Sequence, residues 1–250
     1  MSWRIGGWRS RGNRVRSTAA VRRPRRASCG GTVQALEDRV VLSDVAGLST
    51  PRTGPAAVGP ADAAAPVPAP APGGTGFVPM FNGTNLDGWV NPYDWGRAAV
   101  AKNGDILLTG NKNFFLVFQQ TYRNFIVEAD VLVPAGGNSG LQFRSQYGHD
   151  SMMGYQAEMD TMASRNWAGG LEFNGRGFLA PAHPRAPIKP GRWNHYVVEA
   201  IGDHITITVN GTVTVDADNT LASDGHIALQ DHGSPGMYRF RNVEIEALPS

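Results

Sequence analysis

The sequence predicts an all-β fold: a two-sheet antiparallel sandwich of jelly-roll type, preceded by a disordered N-terminal region. Three observations predict it. Roughly eleven short stretches between residues 77 and 248 alternate apolar and polar side chains with the period of two that a pleated strand imposes. Turn formers punctuate them, with 31 Gly and 17 Pro in 250 residues. No window carries the apolar period of an amphipathic helix.

Residues 1–49 read as a basic leader. The first fifty residues hold ten Arg against three acids, whereas residues 76–250 hold 12 Lys and Arg against 17 Asp and Glu. The net charge of +2 therefore conceals a mildly acidic folded part, for which nucleic acid finds no support as a partner. Beyond Trp3 and Trp8 the leader also lacks the interleaved aromatics of a nucleic-acid arm. Arginine pairs at 22–23 and 25–26 suggest export, although no apolar h-region follows them. Residues 36–43, L-E-D-R-V-V-L-S, resemble a short N-terminal motif of many exported planctomycete proteins. With the basic leader before it and the linker after it, this motif favours an extracellular or cell-envelope location. Residues 50–76 form a Pro/Ala/Gly linker that cannot bury a core and is expected to be extended. Cys29 is the only cysteine, which excludes an intrachain disulfide and a cysteine metal site. No apolar run is long enough for a membrane span.

From residue 77 the chain becomes globular. F-N-G-T-N-L-D-G-W sets turn residues between an entering strand and Trp89. Residues 106–109 and 113–119 read as strands on either side of a turn at Gly110. Residues 125–133 alternate, with Phe125, Val127, Ala129, Val131 and Val133 inward and Glu128 and Asp130 outward. Two strands follow within 138–160, and a further one is expected over 167–173. Residues 179–190 read as an irregular proline-rich connection. Residues 193–200, 204–210 and 212–216 form a meander, whose Asn210-Gly211 pair is a two-residue hairpin signal. Residues 225–230 and 238–248 close the fold. Trp89, Trp193 and Phe240 are expected in the core, and His195 and His204 in structural positions.

The stretch 138–160 stands apart. In N-S-G-L-Q-F-R, Leu141 and Phe143 share one face and leave Gln142 and Arg144 on the other. In G-Y-Q-A-E-M-D, Tyr155, Ala157 and Met159 share a face and leave Gln156, Glu158 and Asp160 opposite. A solvated sheet face usually carries Lys, Thr and Ser. A guanidinium, two amides and two carboxylates look more like a site.

Seven strings in order carry a resemblance: F-N-G-T-N-L-D-G-W, N-S-G-L-Q-F-R, G-Y-Q-A-E-M-D, W-A-G-G-L, the long G-R-W-N-H-Y-V-V-E-A-I-G-D-H-I-T-I-T-V-N-G, G-H-I-A-L-Q-D-H-G and F-R-N-V-E-I-E-A-L. In this order and spacing, residues 77–248 resemble the 3-keto-disaccharide hydrolase domain family. The resemblance implies a concanavalin A-like sandwich in a secreted bacterial protein, acting on glycosides oxidised at C3. The string L-E-F-N-G-R-G at 171–177 departs from the family, whose members often have an aromatic followed by acids there, and this puts a role for Glu172 in doubt.

Sugar recognition needs polar forks for hydroxyls and an aromatic platform for the ring. Arg144, Gln142, Gln156, Gln230 and Arg176 are the candidate forks, and Trp167 or Tyr155 the platform. That set suits a lectin or an enzyme. The glucanase pattern E-x-D-x-x-E begins at Glu158 and Asp160, but Ala163 stands where the last acid belongs, so a two-carboxylate retaining mechanism is set aside. A 3-keto sugar permits another route. The ketone acidifies the C2 proton, a base removes it, and the aglycone leaves C1; water then adds. Glu158 or Asp160 is the expected base, and Arg144 or His232 the partner of the enolate oxygen. No organic cofactor is expected. No spacing motif marks a metal, although Glu158, Asp160 and His232 carry donors that suit a divalent cation. Two readings from other classes stay open: a non-catalytic carbohydrate-binding module, and a structural cell-envelope protein.

Overall fold

The computed structural model describes residues 76–233 and 236–249, so the leader, the 36–43 motif and nearly all of the linker lie outside the described residues. The described residues form fifteen strands and no helix: β1 (Val78–Pro79), β2 (Trp89–Val90), β3 (Gly96–Val100), β4 (Ile106–Gly110), β5 (Phe114–Tyr122), β6 (Asn124–Leu132), β7 (Asn138–Tyr147), β8 (Met152–Asp160), β9 (Leu171–Phe173), β10 (Gly177–Ala180), β11 (Trp193–Ile201), β12 (His204–Val209), β13 (Thr212–Asp218), β14 (Gly225–Asp231) and β15 (Tyr238–Leu248). No helix among the described residues is long and apolar enough to cross a membrane.

Two antiparallel sheets result. One runs β13-β12-β11-β6-β15-β4-β3, with β1 also pairing β15; the other runs β10-β9-β8-β7-β14-β5-β2. This is the jelly-roll sandwich that the alternation predicts. The core lies between the sheets. Phe125, Val127, Ala129 and Val131 of β6 reach it from the first sheet, and Leu141, Phe143, Tyr155 and Ala157 of β7 and β8 from the second, all fully buried. The meander is present, and Asn210 and Gly211 both take positive φ (49° and 80°), as a type I′ turn between Val209 and Thr212 requires.

Three elements differ from the sequence expectation. Of 167–173, only Leu171–Phe173 is strand; Trp167 to Gly170 turns instead, and the Gly170 amide donates to the Trp167 carbonyl. The connection expected to be irregular begins with β10, which pairs β9 as an edge strand. Trp193 is not in the core. It falls on the outward register of β11, where Asn194 points in, and its ring lies 4.1 Å from the Arg241 guanidinium. His195 and His204 sit on the same outer face, bound to Asp130 (3.1 Å) and Asp218 (2.8 Å).

The second sheet matters most for function, because β7 and β8 are buried on both faces. One face is core. The other carries the polar set, and loops from both ends of the sheet rise around it.

Candidate active site

Register assembles the floor. Gln142 on β7 faces Gln156 on β8, which faces Glu172 on β9; Gly140 faces Glu158. On the other side of β7, Ala228 of β14 faces Gln142, and Gln230 faces Phe115 of β5. Four strands, β7, β8, β9 and β14, thus place amides and carboxyls in two adjacent rows.

The floor is tied together by side chains. Ser145 Oγ donates to Gln142 Oε1 (2.9 Å), Gln142 Nε2 to Gln156 Oε1 (2.6 Å), and Gln156 Nε2 to Glu158 Oε2 (2.6 Å). From the other side Asn138 Nδ2 donates to Glu158 Oε1 and to Asp160 Oδ2 (3.2 Å). Each amide is oriented by its neighbour, so the chain runs in one direction and ends on Glu158. Both carboxyl oxygens of Glu158 are gripped.

A cleft of about 450 Å³ opens above this floor. Its lining includes Asn138, Gln156, Glu158, Glu172 and Gln230 from the sheet, with Trp167, Asn174, Tyr93, Asp150 and His232 around it. Burial pushes the Glu158 carboxyl up to about 8, and the charges of Glu172 and Asp160 add to the rise. The amides of Gln156 and Asn138 oppose it without cancelling it. Two acceptors remain unpartnered here, Asn138 Oδ1 and Gln230 Oε1. Gln230 Nε2 donates to Asn113 Oδ1 (3.0 Å).

Residues 76–246 match the model of the 3-keto-alpha-glucoside-1,2-lyase-like domain. The chain belongs to this family. The match spans β1 to β14 and β15 as far as residue 246, so the floor and the cleft belong to the 3-keto-alpha-glucoside-1,2-lyase-like domain. A levanase of Bacillus subtilis (strain 168) is 24% identical over 176 residues, which are 69% of this chain and 24% of the levanase. The chain therefore spans about a quarter of that curated relative's length. Among solved structures, the carbohydrate-binding module CBM66 from Bacillus subtilis aligns with a TM-score of 0.53 at 24% identity, over 64% of this chain and 96% of the module. A Parabacteroides distasonis ATCC 8503 protein provisionally described as a glycosyl hydrolase aligns with a TM-score of 0.54 at 20% identity, over 69% of this chain and 94% of its own. At these identities the solved structures share the fold.

Within the 3-keto-alpha-glucoside-1,2-lyase-like domain, the residues singled out in the sequence divide into two groups. Glu158, Gln156, Gln230, Trp167 and His232 line the cleft, and Gln142 supports its floor. The others lie elsewhere. Arg144 falls on a bulge of β7 with φ 46°, where β7 slips against β8 between Phe143 and Gln146. Its guanidinium is buried and donates to the Arg123 carbonyl (2.9 and 2.7 Å) and the Ala222 carbonyl (3.5 Å). Strict alternation had placed it beside Gln142. The extra residue of the bulge turns it away.

Tyr155 stands on the core face, stacked on Phe143 (5.3 Å), with its hydroxyl donating to Asn219 Oδ1 (2.7 Å). Asp160 sits past the rim. It accepts from the Met162 amide (2.6 Å) and pairs with Arg165 (2.7 Å), whose guanidinium lies 4.0 Å from the Trp167 ring. Asp160 thereby supports the platform from below. Arg176 is exposed in the β9–β10 turn, over the Phe173 ring at 5.9 Å. Glu158, Asp160 and His232 are not brought together as a cation site, and no three acidic, His or Cys side chains among the described residues are grouped to hold a metal.

Sequence reasoning passed over Asn138 and doubted Glu172. Both were within its reach, since Asn138 shares the outward face with Gly140 and Gln142, and Glu172 alternates with Leu171 and Phe173. Tyr93, Asn113 and Asp150 come from connections, where no periodicity points to them.

Proposed function

We propose that this domain processes glycosides whose sugar carries a ketone at C3. The observation that carries the reading is Glu158: a buried carboxyl at the base of a polar cleft, held on both oxygens by Asn138 and Gln156. In the proposed reaction the Glu158 carboxylate takes the proton from C2. The electron pair moves into the C1–C2 bond and the aglycone departs from C1, taking a proton as its free alcohol. Water adds at C1, and the proton returns to C2, releasing the 3-keto sugar. A carboxylate raised by burial is a stronger base than an ordinary one, which suits a carbon acid. The developing enolate oxygen needs donors, for which His232 and the amides of Asn174 and Asn113 are available around the cleft. Trp167 offers its face to the sugar ring, with Arg165 behind it.

The test is to incubate the full chain with a 3-keto glucoside and follow release of the free aglycone. Turnover is expected in the wild type and absent in Glu158→Gln; full activity of that variant sinks the mechanism.

A second reading is binding without chemistry. The tied amide floor needs no reaction to explain it, and the fold is shared with CBM66 over nearly the whole of that module. Saturable sugar binding with no turnover of any 3-keto glycoside would favour it. In both readings the chain acts outside the cytoplasm, a proposal that rests on the basic leader, the 36–43 motif and the linker.

A further inference from the structure

The lining of the cleft has a one-sided chemistry. It carries two carboxylates, Asp150 and Glu172, beside the buried Glu158 carboxyl, and among the described residues that line it there is no Lys or Arg. Nearby cations are engaged elsewhere. Arg144 is turned to backbone carbonyls, Arg165 is paired with Asp160, and Lys112 and Arg176 lie 5.7 and 5.9 Å from the Trp95 and Phe173 rings. His232 is the one imidazole among the described residues of the lining.

The second observation is independent of charge. Asn138 is 7% exposed and holds an unpartnered amide oxygen. Its orientation is not arbitrary: its nitrogen must face Asp160, whose Arg165-paired carboxylate can only accept, so the leftover atom is an acceptor. A buried acceptor without a donor is unfavourable, and a ligand that brings a donor relieves it.

Resting on the saccharide reading of this cleft, we infer that it selects uncharged and protonated amino sugars and rejects anionic ones: Asn138 Oδ1 accepts from the sugar, and Glu172 and Asp150 set the charge preference. Hydroxyl and ammonium groups supply donors to the orphan oxygen. The carboxylate of a uronate, or a sulfate or phosphate group, brings acceptors only, and sets a negative charge among carboxylates with no cation on the lining to meet it.

The experiment is calorimetric titration of the full chain at low salt with methyl glucoside, its 2-amino-2-deoxy counterpart and methyl glucuronide. The amino sugar should bind about tenfold more tightly than the neutral one, as a charge-assisted hydrogen bond replaces a neutral one. The glucuronide should show no saturable binding. Raising the salt to about 0.5 M should compress the difference. In a Glu172→Gln, Asp150→Asn double variant, which keeps the shapes and removes the charges, the amino and neutral sugars should converge to within about twofold. Binding of the glucuronide as tight as that of methyl glucoside overturns the inference, as does failure of all three sugars to saturate. The same preparations are given a 3-keto glucoside. Loss of turnover with the ranking intact would count against the catalytic reading alone, and turnover without the ranking against the charge selection alone.

Discussion

Gln156 lies across Gly140: a Cβ at position 140 would sit 2.6 Å from Gln156 Cγ, so the glutamine occupies the space that a side chain there would fill. This explains why the strand that faces Glu158 carries no side chain at that position. With room to lie flat, Gln156 spans from Gln142 to Glu158 and closes the hydrogen-bond chain.

Gly140→Ala should therefore act on the site through Gln156. The added methyl forces the amide off its path, leaving Glu158 Oε2 and Gln142 Nε2 without their partners. Overpacking of this kind costs about 1–3 kcal/mol, and each orphaned group adds to it. Urea denaturation should show a loss of about 2–4 kcal/mol, with sugar affinity or turnover reduced in the protein that remains folded. A variant as stable and active as the wild type would mean that Gln156 has another home.

The two arginines of the polar stretch invite a paired experiment. Arg144 is buried and satisfies the Arg123 carbonyl, whereas Arg165 is partly exposed and backs Trp167. Removing Arg144 strands a buried carbonyl and leaves a void, so Arg144→Ala should lower stability by about 2–4 kcal/mol. Its KM should be unchanged where it still folds. Arg165→Ala should lower stability as well, because it leaves the buried Asp160 carboxylate without its cation, but it should also reach the sugar. A cation–π contact is worth roughly 0.5–2 kcal/mol, so affinity for the sugar should fall several-fold in the protein that folds. A KM-against-kcat comparison distinguishes the two, and a KM effect confined to Arg144→Ala would reverse the assignment.

How much of this was legible in the sequence depends on where periodicity holds. β6, β7, β8 and β11 alternate without interruption over most of their length, so their faces followed from composition alone. The Asn210-Gly211 hairpin was equally direct, because type I′ turns need positive φ at both positions. Arg144 escaped because a bulge changes the parity of everything near it, and nothing in N-S-G-L-Q-F-R announces one. Tertiary neighbours reveal it: a Cβ on Gly225 would meet Arg144 C at 2.5 Å, and one on Gly154 would meet Ser145 Cα at 2.5 Å. Both flanking strands thin to glycine where the bulge protrudes. Asp160 looked like a partner of Glu158 because the two share a face. The two share the Asn138 amide, but Asp160 is also paired with Arg165, five residues on, and so backs Trp167 and does not line the cleft. The walls of the cleft were illegible for a simpler reason. Tyr93, Asn113 and Asp150 lie in connections whose paths are set by the strands they join.

Protonation of Glu158 gives the last prediction, and it has two readouts. Burial is the main cause of its rise from 4.5 to about 8. Because the folded value exceeds the unfolded one, the folded state holds the proton more tightly. The associated stability is fully present below pH 4.5 and is lost as pH climbs towards about 8. Tm of the wild type should therefore fall over this window relative to Glu158→Gln, which cannot ionise, with a relative change on the order of a few kcal/mol. Activity should move in the opposite direction. A base must be ionised to take the C2 proton, so kcat/KM should rise with pH and level off above about 8. A profile that falls through the same range would make Glu158 the proton donor to the departing aglycone, and the base would then have to be sought at Glu172. A flat Tm difference between pH 5 and 9 would remove the buried-acid premise itself, and with it the reason for choosing Glu158 over the other carboxylates of the cleft.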